Sequence, residues 1–79
     1  MKKQLMPLEK LIEARREMKL TQDDVAKLSG ISRSMYCNIE RGEVTPSLRS
    51  AYSISRVLKK SIEQLFFARN ARITNKKLA

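Results

Sequence analysis

The feature that most restricts this chain is the spacing of helix starts and stops between Thr21 and Gly42. Thr21, with Asp24 three positions on, offers a side-chain oxygen to the free N–H groups of a first helical turn, a capping box with Asp in place of Glu. Asp23 and Asp24 also suit the positive end of a helix dipole. Gly30 closes that segment, because glycine readily takes the left-handed conformation that follows a helix. Ser32 provides the next cap, and Gly42 stops the helix it begins. The pattern predicts helix 2 running from Thr21 to about Ser29 and helix 3 over about 33–41. Two short helices joined by three or four residues that include a glycine are the sequence form of a helix-turn-helix.

The remaining punctuation extends this scheme to five helices. Pro7 suits the start of helix 1, where a missing N–H is not needed, and Leu8, Leu11, Ile12, Ala14 and Met18 give an apolar stripe at helical spacing over about 8–18. Helix 2 is expected to bury Val25, Ala26 and Leu28. Thr45-Pro46 opens helix 4, whose stripe reads Leu48, Ala51, Tyr52, Ser55 and Leu58, flanked by Ile54. Ser61 and Gln64 form a second capping box for a last short helix carrying Ile62, Leu65 and Phe66. Residues 1–67 thus read as one all-α domain, and 68–79 as a basic C-terminal tail, flexible unless bound.

Composition narrows the function classes. Lysine and arginine number 17 against 8 acidic residues, a net charge of +9, which draws a small protein toward polyanions. The charge is uneven: residues 1–47 hold nine basic and seven acidic side chains, residues 48–79 eight and one. One cysteine, Cys37, and no histidine exclude an internal disulfide and an ordinary zinc finger. The lack of histidine, of a metal cluster and of a phosphate-cradling glycine loop argues against an enzyme, and no metal or cofactor is expected. No segment reads as a signal peptide or membrane span, so a cytoplasmic location without membrane contact is the expectation.

Helix 3 carries the functional reading. With Arg33 at zero and a turn of about 100° per residue, Met35, Tyr36 and Ile39 cluster between about 200° and 300°. Arg33, Ser34, Cys37, Asn38 and Arg41 fill the opposite arc. Any amphipathic surface helix has such a polar face, but this one suits the major groove, where Arg pairs with guanine O6 and N7 and Asn with adenine N6 and N7.

The run Leu20-Thr21-Gln22-Asp23-Asp24-Val25-Ala26-Lys27-Leu28-Ser29-Gly30-Ile31-Ser32, followed by Ile39-Glu40-Arg41-Gly42, Pro46-Ser47-Leu48 and Ser61-Ile62-Glu63-Gln64-Leu65-Phe66, closely resembles the XRE family, the helix-turn-helix regulators related to the phage repressors and Cro. The resemblance covers about residues 8–67, with its motifs in register. It implies a compact five-helix repressor-like domain that reads double-stranded DNA with helix 3. Arg33, Ser34 and Asn38 match the family's base-reading positions, and Cys37 faces the same groove, where its thiol can meet a thymine methyl or simply be a small tolerated side chain. Gln22 matches a phosphate-contacting position and can also serve as a second capping group. Arg41, Thr45 and Ser47 surround a loop where family members touch phosphates. Arg15 and Glu40 stand where the family pairs helix 1 with helix 3, a structural ion pair. The sequence departs from the pattern at Lys59-Lys60, at Ser55 and at Tyr36.

The resemblance further implies a homodimer on a palindrome, with the two recognition helices about 34 Å apart. Ile62, Leu65, Phe66 and Phe67 are the candidate dimer seam, or else close the monomer core. The expected function is transcriptional repression by promoter occlusion. Two rivals use the same fold: an antitoxin-like module gripping a protein partner through residues 68–79, and a nucleic-acid binder that relies on charge alone. Arg69, Arg72, Lys76 and Lys77 of the tail either add phosphate contacts or are merely solvated.

Overall fold

The computed structural model describes residues 7–67, and the tail residues 68–79 lie outside that range. It holds helices α1 (Glu9–Glu17), α2 (Gln22–Ser29), α3 (Arg33–Arg41) and α4 (Leu48–Leu58), then α5, a single π-helical turn (Glu63–Phe67). There is no strand among the described residues.

The caps explain the boundaries. Thr21 Oγ1 accepts the Asp24 N–H at 3.0 Å while Asp24 Oδ2 accepts the Thr21 N–H at 2.9 Å, closing the box at the start of α2. Ser32 caps α3 by accepting the Met35 N–H at 3.0 Å. Ser61 and Gln64 exchange the same pair of bonds ahead of α5. One start differs from expectation: α4 begins at Leu48, capped by Ser47, whose hydroxyl accepts the Ser50 N–H at 3.1 Å, and Thr45-Pro46 lies outside the helix. α1 starts close to where expected, after Leu8, which has no side-chain cap.

The helix ends share one device. After each of α1 to α4 a residue takes the left-handed conformation, and the following N–H reaches back five residues: Leu20 to Arg15, Ile31 to Ala26, Glu43 to Asn38 and Lys60 to Ser55, at 2.9–3.2 Å. Such bonds satisfy carbonyls that the helix itself leaves free. The left-handed residues after α2 and α3 are the expected Gly30 and Gly42, with φ of 78° and 83°. After α1 and α4 they are lysines, Lys19 at 60° and Lys59 at 59°. The α4–α5 turn therefore keeps the helical stop with a lysine where glycine would serve, and Lys60 also pairs with Glu17 of α1 at 3.7 Å.

α2 packs against both α3 and α4, and α1 against α3 and α5. Between them lie Leu11, Ala14, Val25, Ala26, Tyr36, Ile39, Ile54, Leu58 and Leu65, each at most 3% exposed. Three helices face the core at a different angle from that expected. α2 buries Val25, Ala26 and Ser29, leaving Leu28 63% exposed, because Leu28 projects roughly 110° from the middle of that stripe. α4 buries Ala51, Ile54, Ser55 and Leu58, so Ile54 is central while Tyr52 and Leu48 are 54% and 78% exposed. On α3, burial of Tyr36, Ile39 and Glu40 turns Met35 outward. In α1, Leu11 and Ala14 are buried while Met18 is exposed. Ser55 replaces an apolar residue without leaving a stranded hydroxyl, since its Oγ donates to the Tyr52 carbonyl at 2.7 Å. The hydroxyls of Ser29 and Tyr36 are buried with no hydrogen-bond partner.

Candidate nucleic-acid interface

Glu40 organises the site. It lies on α3 with its side chain 4% exposed, and its carboxylate is held from two other elements. Arg15 of α1 donates Nε–H to Oε2 at 2.6 Å, and its Nη2 lies 3.4 Å from Oε1. Gln22, the first residue of α2, donates from Nε2 to the same Oε1 at 2.9 Å. Arg15 Nη1 also donates to the Leu20 carbonyl at 3.1 Å, and the Glu40 carbonyl accepts the Leu8 N–H at 2.9 Å. One carboxylate thus binds the α1 side chain, the α2 N-terminus and α3 into a fixed arrangement.

The electrostatics agree with that geometry. Hydrogen bonding to Glu40 raises the Arg15 pKa above its ordinary value against the opposing effect of burial, so the guanidinium stays charged. Burial, followed by the nearby Glu40 carboxylate, pushes the Tyr36 phenol far above its usual range and keeps it neutral. The ion pair that the resemblance implies between Arg15 and Glu40 is present, with the two side chains 13% and 4% exposed.

Along α3 the expected base-reading residues line the outer face. Arg33 and Ser34 are exposed in the first turn, and Cys37 and Asn38 are half-buried behind them. Of the residues expected near phosphates, Gln22 and Arg33 line one open concavity beside the α1–α2 turn, together with Arg15, Lys19 and Thr21. The Gln22 amide uses one hydrogen on Glu40 and retains a second. Arg41 lies at the other end of α3 and pairs with Glu43 at 2.9 Å, an exposed contact that a phosphate can displace at little cost. Thr45 is exposed in the loop, and Ser47 is engaged as the cap of α4. The structure therefore places Gln22 and Arg33 together and sets Arg41, Thr45 and Ser47 apart from them. Lys19 was not singled out from sequence, because nothing in the spacing marks a lysine as the last residue of a helix stop.

The candidate seam is divided. Leu65 is 2% exposed and belongs to the core. Ile62 and Phe66 are half-buried and Phe67 is 53% exposed. These three share an apolar groove with Leu8, Val44, Pro46 and Leu48. No group of His, Cys, Asp and Glu among the described residues is arranged to hold a metal. Nor is any described helix long and apolar enough to cross a membrane.

Comparison with known proteins accords with this geometry. The helix-turn-helix family model matches residues 11–65. An uncharacterized HTH-type transcriptional regulator from Archaeoglobus fulgidus is 43% identical over 54 residues, covering 68% of this chain and 77% of that protein. A regulator of the same description from Methanocaldococcus jannaschii is 43% identical over 47 residues, covering 60% and 71%. Among solved structures, the restriction-modification controller protein C.AhdI from Aeromonas hydrophila superposes with a TM-score of 0.69 at 33% identity, covering 73% of this chain and 88% of that one. With α2 and α3 forming the motif and its sequence signature in register, the chain belongs to the XRE-type helix-turn-helix family of DNA-binding transcriptional regulators.

Proposed function

We propose that this protein is a homodimeric transcriptional repressor that reads a palindromic operator by placing α3 in the major groove. The observation that carries the reading is the pairing of a rigid inner face with an open outer one. Tyr36, Ile39 and Glu40 lock α3 to α1 and α2, while Arg33, Ser34, Cys37 and Asn38 present donors and acceptors away from the core. A helix held in this way presents base-reading groups with little freedom left to lose on binding. Arg33 and Asn38 are the base readers, with Ser34 and Cys37 beside them. Gln22 and Arg41, with Thr45 and Ser47, grip phosphates at the two ends of α3. The apolar groove containing Ile62, Phe66, Phe67 and Leu48 supplies the dimer seam, with Leu65 supporting it from the core side.

The test is selection from a pool of random duplexes at moderate salt, repeated with Asn38→Ala. The expected result is a palindromic motif that relaxes at one base position in the variant. Tight binding without a motif would favour recognition by charge alone. Absence of binding would favour a module that needs a protein partner.

A further inference from the structure

We propose that Lys19 is a phosphate-gripping residue of the DNA interface, seated where the α1–α2 turn meets the first turn of α3. Its backbone is the first indication. Lys19 has φ of 60°, a conformation that glycine adopts freely and a lysine only under strain. Lys59 takes the same conformation after α4, so what distinguishes Lys19 is where its cation stands.

The surroundings indicate what the cation meets. Lys19 lines the open concavity that Gln22 and Arg33 also line. Of the other charged groups there, Arg15 is neutralised by Glu40 and Asp23 is paired with Lys27. Lys19 and Arg33 form no ion pair among the described residues. The concavity therefore holds two uncompensated cations on a surface open enough for a polymer strand. Lys19 precedes α2 and does not lie on α3, so it flanks the helix that reads the bases. A lysine is a point charge without the planar fork that recognises a base edge, which suits a phosphodiester oxygen. The proposal rests on the reading that α3 enters the major groove.

The experiment is a salt titration of duplex affinity for the full chain and for Lys19→Gly, Lys19→Arg and Lys59→Gly, on the selected operator and on an unrelated duplex, with Tm measured for each. Lys19→Gly is expected to weaken binding by about fivefold at 0.15 M salt and to reduce the slope of log affinity against log salt by about 0.9, equally on both duplexes. Its Tm should rise, because the strain is relieved. Lys19→Arg should keep the wild-type affinity and slope. Lys59→Gly relieves the same strain outside the concavity, so its Tm should also rise while affinity stays within about twofold. Wild-type affinity and slope in Lys19→Gly would overturn the proposal, and so would a loss confined to the operator, which would make Lys19 a base reader. If the wild-type chain bound no duplex at all, the DNA-reading function would fail first and the role of Lys19 with it.

Discussion

Glu40 is the residue on which the interface depends most. Its carboxylate is almost wholly buried and receives hydrogen bonds from Arg15 and Gln22. Removing one member of such a pair strands the other charge. Glu40→Ala should therefore lose about 3 kcal/mol in urea unfolding, the lower end for a buried pair because Arg15 still touches water. Replacing both partners, as in Arg15→Met with Glu40→Leu, should recover much of that stability and still weaken DNA binding, since Gln22 loses its anchor. Asp24 sets a pH dependence. Its hydrogen bonds to the Thr21 backbone and side chain hold its pKa below the ordinary 3.8. A depressed folded pKa contributes stability that is present above the unfolded value and is lost as the pH falls below 3.8 through the folded value. Tm followed against pH should thus fall less steeply on acidification in Asp24→Asn than in the wild type.

At the scale of the element, α4 shows what periodicity does and does not reveal. Its end and the presence of an apolar side are legible, but the spacing sets that side too close to Tyr52 and leaves Ile54 at its flank, where the structure puts Ile54 at the centre. The helix turns on Ile54 and Leu58, which are 0% and 1% exposed. Ile54→Ala should therefore cost about 2–5 kcal/mol, as measured by denaturant unfolding. Leu48→Ala should change monomer stability by less than about 0.5 kcal/mol. The starts and stops were legible wherever a side chain makes the cap, at Thr21, Ser32 and Ser61, and wherever glycine supplies the left-handed turn. They were hidden at Lys19 and Lys59, where the backbone adopts that conformation despite the residue, and at Ser47, whose capping oxygen was eclipsed by the preceding Thr45-Pro46.

For the whole molecule, the exposed apolar groove beside α5 is the feature that the monomer leaves open. Leu48 and Phe67, which both line it, are 78% and 53% exposed, and large apolar side chains gathered in one exposed groove mark an interaction surface. If this groove is the seam between two copies, Phe67→Glu should sediment as a monomer at concentrations where the wild type is a dimer. The variant should keep its helical content and lose affinity for a palindrome more than for a half-site.

The amino-acid sequence by itself determined the helix count, the two capping boxes, the helix-turn-helix and the pairing of Arg15 with Glu40. These follow from local chemistry, from caps and glycines acting within a few residues, or from a family motif in register. Only the tertiary structure decided which way α2 and α4 face, how deeply Glu40 lies, that Gln22 shares its carboxylate, and that Lys19 lines the same concavity as Arg33. Each of these depends on contacts between residues distant in the chain, and no local pattern encodes the angle at which one helix meets another.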